Sequence, residues 1–267
     1  ESGVLAHLDF REGGLKGSDL LAKCKRDYIK SLILSRTSSE KELEQLLDRF
    51  DGIGFPSLNC LPEEQIKRFS KKVRKENKLL SFHVSETKEA HINSIKETGK
   101  TEIERALSFS PTHLVHGTWA TEDDLNALKE AEVPLVLCSR ANSILGTGVP
   151  PIKRILEKNL ELWLGTDNVF VCSPVILEEL SFLWTMLRLQ TTDAGKEEAR
   201  RLLKAATINP AETLDLEFGP LTEGQKATFL IISKDRNLRR CDDPYIGLVS
   251  RARASNVEKV HVPTSNN

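Results

Sequence analysis

The chain of 267 residues has no apolar run of about 18 residues, so nothing in it reads as a membrane-spanning helix. It also lacks an excess of either charge. Lys and Arg number 38 against 39 Asp and Glu, a net charge of −1, which removes the electrostatic case for nucleic acid or an anionic membrane. No CxxC pair is present. The five cysteines, Cys24, Cys60, Cys138, Cys172 and Cys241, are odd in number and scattered, which argues against a disulfide framework or a zinc knuckle and fits a reducing cytoplasm. Each reads as a small buried or loop residue rather than a nucleophile. The first residues, ESGVLAHLDF, lack the basic start of a signal peptide. They also lack an initiating Met, so the natural start is expected elsewhere.

What is present is alternation. A buried strand at residues 3–10 opens into the loop REGGLKG, and a helix is expected over 19–30 before the strand SLILS at 31–35. The segment SSEKELEQLLDRF has a Ser start signal and apolar residues at helical spacing. GIGFPS follows as a short strand, Pro62 starts another helix, and Leu79–Val84 is the next strand. A helix-rich stretch runs to Phe109, then come strand HLVHG, helix TEDDLNALKEA, strand VPLVLC, the Gly/Pro loop LGTGVPP, helix IKRILEKN and strand LELWLG. Short strands without strict polar alternation, separated by helices, indicate βαβ units and a parallel sheet covered on both faces. About seven strands precede the long helices at 178–190 and 196–206. A closed (β/α)8 barrel needs eight, so the first strand is expected upstream of Glu1.

After Asn209-Pro210 the texture changes. GPLTEGQKATFLIISKD and VEKVHV read as strands joined by a turn-rich link, too little for an independent domain and suited to part of a small β-sandwich. The expected division is a barrel over 1–215 and the sandwich part over 216–267, with the tail PTSNN frayed.

Three strands end in residues that can carry chemistry. In LLSFHVSE (79–86), Leu80, Phe82 and Val84 share one face, which turns His83 to the barrel interior near its C-terminal mouth. Glu86 has the opposite parity and can join His83 only if the strand has already broken. HLVHGT delivers His116 and LWLGTDN delivers Asp167. A lone strand histidine is more often an internal hydrogen-bonded residue; three strand ends offering His, His and Asp suit a divalent metal. The aspartate after an apolar strand is costly to bury unless paired or metal-bound, although Asp167-Asn168 offers the plainer alternative of a helix cap. His7, His91, His113 and His261 read as structural, and the Glu178-Glu179 pair reads as a solvated or packing face.

The pieces HVSE (83–86), LVHGT (114–118), CSRANSILGTGVPP (138–151), LGTDN (164–168), ATINPAETL (206–214) and GPLTEGQKATFLII (219–232) follow one another in an order and spacing that resembles the amidohydrolase superfamily. The likeness is to its deaminase and chlorohydrolase-like branch, which includes cytosine- and adenosine-type deaminases. It implies that His83 and Asp167 hold one divalent ion, Zn2+ or Fe2+, with Asp167 also taking a proton from the attacking water. His116 would orient or polarise that water or the substrate, and Glu86 would carry a proton to a ring nitrogen. Asn142 and neighbouring loop residues would line the substrate side, where Asn168 is also placed. Apart from the resemblance, the surroundings of Trp119 and Trp184 could shape a pocket for an aromatic ring, core packing being the better default. A bound ion of this kind lowers the pKa of water toward ~7.

The chain departs from the pattern in three places. The two histidines that the family carries on its first strand have no counterpart, since the surroundings of His7-Leu8-Asp9 match a second strand. Ser139-Arg140-Ala141 stands where relatives usually have Pro-x-Ser, and Thr228 replaces the usual Ala-Asp. With two of the family's metal ligands, the chain as it stands is expected to bind metal weakly and turn over little. The expected function of the whole protein is hydrolytic deamination of a purine, pyrimidine or related heterocycle, a small-molecule partner; homo-oligomerisation is left open. The alternatives are hydrolysis of a cyclic amide or a chloro-triazine, and a non-catalytic scaffold.

Overall fold

In the computed structural model, which describes residues 2–24, 29–217, 219–224 and 226–263, contacts divide the chain into two compact units. The first is Leu5–Val136, and the second joins residues 1–4 to 137–267.

The first unit is a run of βα repeats. β1 (Ala6–Arg11) is followed by α1 (Gly14–Lys23), β2 (Lys30–Ser35), α2 (Glu40–Arg49), β3 (Gly52–Phe55) and α3 (Glu63–Lys75). β4 (Leu79–Val84) leads to α4 (Lys88–Thr98), α5 (Glu102–Leu107), β5 (His113–His116) and α6 (Glu122–Glu130), and β6 (Leu135–Leu137) closes the run. Each strand pairs with the next in parallel, in chain order. The register sets Ser81 opposite His113 and Val84 opposite His116.

The helices form where the sequence places caps and stripes. The Ser39 hydroxyl accepts the Glu42 N–H to start α2, whose Leu43, Leu46 and Leu47 are buried. In α3, Ile66, Phe69 and Val73 recur on one buried face. Thr121 and Asp124 form a reciprocal capping box at α6. On β4, Leu80, Phe82 and Val84 are buried, and Phe82 stacks between Phe55 and Phe109 at centroid distances of 4.9 and 5.6 Å. The apolar face of the strand is therefore the packed one, as its alternation requires.

The second unit holds α7 (Ser139–Ile144), α8 (Ile152–Glu157), β7 (Leu162–Leu164), α9 (Ile176–Gln190), α10 (Lys196–Ala205) and α11 (Ile208–Thr213). The Gly165 N–H donates to the Leu137 carbonyl at 3.0 Å, in keeping with a strand order that runs from β1 to β7. Among the described residues this sheet has seven strands, in line with the about seven read from the sequence. β8 (Phe229–Ile232) and β9 (Val257–His261) then form a separate antiparallel pair, with α12 (Pro244–Arg251) between them. No helix among the described residues is long and apolar enough to cross a membrane.

Two expectations change in detail. The helix expected over 19–30 starts earlier, at Gly14, because Gly13 and Gly14 take φ of 82° and 56° and turn the chain straight out of β1. Residues 25–28 of that expected helix lie outside the described residues, as do 264–267 of the tail. The link between the last two strands contains α12, started by the Asp243 carboxylate accepting from the Tyr245 and Ile246 N–H groups with Pro244 at the first helical position.

Candidate active site

Glu86 solves its parity problem through Ser85. β4 runs as a regular strand to Val84, and Ser85 then takes a left-handed φ of 46°. The reversal brings Glu86 round to the histidine side, where its Oε2 lies 3.6 Å from His116 Nε2. The rings of His83 and His116 meet edge to face with centroids 4.9 Å apart. Donor atoms of His83, Glu86 and His116 all lie within 4.8 Å of one another. Among the described residues this is the group of three whose geometry suits a metal ion.

The surroundings make His83 a ready ligand. Burial, with smaller contributions from His116, Arg36 and His113, holds its pKa well below the usual imidazole range, so the ring is neutral and keeps a lone pair to offer. Phe10 packs against it, with ring centroids 4.7 Å apart. Two imidazoles and a carboxylate are a donor set that zinc or iron(II) accepts, so the residues fit the implied ion.

His116 also has a left-handed backbone, with φ 74°, followed by Gly117 at 55°. It is buried at the end of β5. His113, three residues earlier, is fully buried beside Phe10, and burial lowers its pKa to about 3. Trp119 donates its backbone N–H to the Ser85 carbonyl at 3.0 Å, and Lys88 Nζ sits 5.5 Å from the centre of its ring.

The remaining expected residues belong to the second unit. Asp167 follows β7 with φ 58° and is half-buried. The next helix, α9, starts at Ile176 after Val175, so Asp167-Asn168 is not its cap. Asn168 instead organises the turn behind it. Its Oδ1 accepts the Phe170 N–H at 2.9 Å, and its carbonyl accepts from Val171 and Cys172. Asn142 is fully buried in α7, its carbonyl accepting the Thr147 N–H at 2.9 Å.

Glu102, which the sequence did not single out, and His91, which it read as structural, hold the turn at Ser85. The Ser85 N–H donates to Glu102 Oε2 at 2.7 Å, and the Ser85 hydroxyl lies 3.2 Å from His91 Nδ1. In the second unit, fully buried Glu179 accepts the Arg140 N–H at 3.1 Å, while its neighbour Glu178 pairs with the Arg140 guanidinium at 2.8 Å. Burial pushes Glu179 up to about 7, against the N–H groups of Arg140 and Ser139. The sequence reads this pair as a solvated or packing face; Glu178 is the part-exposed member and Glu179 the packed one.

A family model described as "Amidohydrolase family" matches residues 8–262. The chain belongs to the amidohydrolase family. An uncharacterised protein of Methanocaldococcus jannaschii is 35% identical over 244 residues, 87% of this chain and 62% of that protein. The 5-methylthioadenosine/S-adenosylhomocysteine deaminase of Pyrococcus furiosus is 29% identical over 221 residues, 77% of this chain and 49% of the enzyme. This amidohydrolase chain thus spans between about half and two thirds of the length of these curated relatives. Among solved structures, the zinc complex of atrazine chlorohydrolase from Arthrobacter aurescens TC1 superposes with a TM-score of 0.82 at 17% identity, over 98% of this chain and 67% of that one. At that identity the likeness establishes the shared fold.

Proposed function

We propose that the protein is a metal-dependent hydrolase of C–N bonds that deaminates a purine or related heterocycle, with an adenine nucleoside the preferred class. The observation that carries this reading is the convergence of His83, Glu86 and His116 at the ends of two adjacent strands in an amidohydrolase chain. The deaminase name of the Pyrococcus furiosus relative supports the substrate class.

In this reading His83 and Asp167 hold one divalent ion, zinc or iron(II), the part of Asp167 being carried by its LGTDN motif. Such an ion, when bound, supplies the Lewis acidity that activates water near neutral pH. The neutral His83 ring presents its lone pair without first losing a proton. Glu86 is exposed enough to reach a ligand and carries a proton beside His116, its Oε2 3.6 Å from His116 Nε2. It delivers that proton to a ring nitrogen, which makes the amino-bearing carbon more electron-poor. His116, fixed at the end of β5, orients the attacking oxygen, and Asp167 accepts its proton. Asn142, Trp119 and Asn168 serve the substrate side. A cytoplasmic location belongs to the same reading, supported by five free cysteines.

The test is ammonia release by protein expressed from its complete reading frame and loaded with zinc. The panel is 5′-methylthioadenosine, S-adenosylhomocysteine, adenosine, guanine, cytosine and a chloro-triazine. One of the amino heterocycles should be deaminated, and Glu86→Gln should lower kcat by roughly 10²–10⁴. Chloride release without ammonia, or no turnover by zinc-loaded protein, would sink the deaminase reading.

A further inference from the structure

The turn that carries Glu86 to the histidines is held by residues outside the reacting set. Every polar group of Ser85 is engaged. Its N–H donates to Glu102 Oε2 at 2.7 Å, its carbonyl accepts the Trp119 N–H at 3.0 Å, and its hydroxyl lies 3.2 Å from His91 Nδ1. A left-handed backbone at a serine is unfavourable by itself, so something must hold it. Were it released to extended geometry, the strand would continue its alternation and Glu86 would face away from His83.

Glu102 is suited to the holding role. It opens α5, where the helix N-terminus favours a carboxylate. It is 3% exposed, so its negative charge demands partners; burial raises its pKa, and the Ser85 N–H and then the charge of Arg105 one turn on oppose that rise. Arg105 is itself anchored to Asn59 and Ser94 at 3.2 Å each. A capping box between Thr101 and Glu104 fixes the start of the helix. The acid is therefore rigidly placed, and it accepts the Ser85 N–H.

We propose that Glu102 is a positioning residue: by accepting the Ser85 amide it locks the left-handed turn that presents Glu86 beside His83 and His116. The inference deepens the reading of Glu86 as the proton carrier and rests on it. It makes specific demands on variants. Glu102→Gln keeps an acceptor for the Ser85 N–H, whereas Glu102→Ala removes it.

Crystal structures of both variants and turnover by the whole protein test this together. Glu86 should stay beside His116 in E102Q and swing away in E102A. With a deaminated substrate, E102A should lower kcat roughly ten- to a hundred-fold at unchanged KM, E102Q should restore it, and adding E102A to E86Q should cost nothing further. Glu86 found in place in the E102A crystal would overturn the proposal. So would multiplicative losses in the double variant. If the wild-type protein turns over no substrate, the deaminase reading fails alone, because the two crystal structures still decide where Glu86 goes.

Discussion

Ser85, His116 and Asp167 have φ of 46°, 74° and 58°, and each follows or ends a parallel strand. Left-handed backbone at a residue with a side chain costs roughly 1–3 kcal/mol and persists only when neighbours over-determine it. Here the hydrogen bonds to Ser85 are that over-determination in the first unit. Buried Glu179 has a measurable consequence in the second. Its pKa in the folded chain is about 7, against an ordinary 4.5. The folded state therefore binds more protons than the unfolded state between those values, and the stabilising contribution is present below pH 4.5 and lost as pH rises through 7. Each pKa unit is worth about 1.4 kcal/mol, so Glu179→Gln, which keeps an acceptor for Arg140, should gain up to ~3 kcal/mol on the wild type between pH 4.5 and 8. Urea melts at a series of pH values read this difference directly. Parallel curves for the two proteins would show that Glu179 stays ionised when folded.

At the scale of elements, β3 illustrates how a strand without bulk serves the site. Gly52 and Gly54 alternate with Ile53 and Phe55. A Cβ at Gly54 would run into the Phe10 ring, which in turn packs on His83. Gly54→Ala should therefore destabilise the chain by roughly 1–3 kcal/mol, as overpacking does, and displace Phe10 from the imidazole. Denaturant unfolding gives the first effect, and the ring-current shift of the His83 protons gives the second. A variant as stable as wild type with unchanged His83 shifts would mean that Phe10 has room to move elsewhere. The elements themselves were largely legible. Caps such as Ser39 and Thr121, and stripes such as Ile66–Phe69–Val73, act within a few residues of one another, so sequence alone exposes them. Helices α7 and α12 were not legible. The first begins at Ser139, and Cys138 before it makes no capping hydrogen bond; the second lies in a polar stretch that reads as turns.

For the molecule as a whole, zinc binding should appear as stability. An ion that binds only the folded state, present at about a hundred times its dissociation constant, adds about 2.7 kcal/mol. Thermal melts in zinc and in chelator should differ accordingly, and His83→Ala should abolish the difference. A zinc shift that survives in H83A would mean that the metal does not rest on His83.

What the sequence by itself determined is the order of the strands and of most helices, the apolar face of β4, and the strand-end placement of His83, His116 and Asp167. These follow from local periodicity, from side-chain alternation and from motifs a few residues long. It also posed the condition that Glu86 must leave the strand path to join His83. Only the tertiary structure decided that it does. The left-handed turn at Ser85 depends on an amide meeting Glu102 from a helix 17 residues on, and on His91 and Trp119 arriving from two further segments. Nothing local to HVSE favours that backbone, because the energy that holds it comes from partners distant along the chain. Buried Glu179 has the same origin: one more acidic residue in a helix by sequence, it has its pKa raised by burial, which the backbone N–H groups of Arg140 and Ser139 only partly offset.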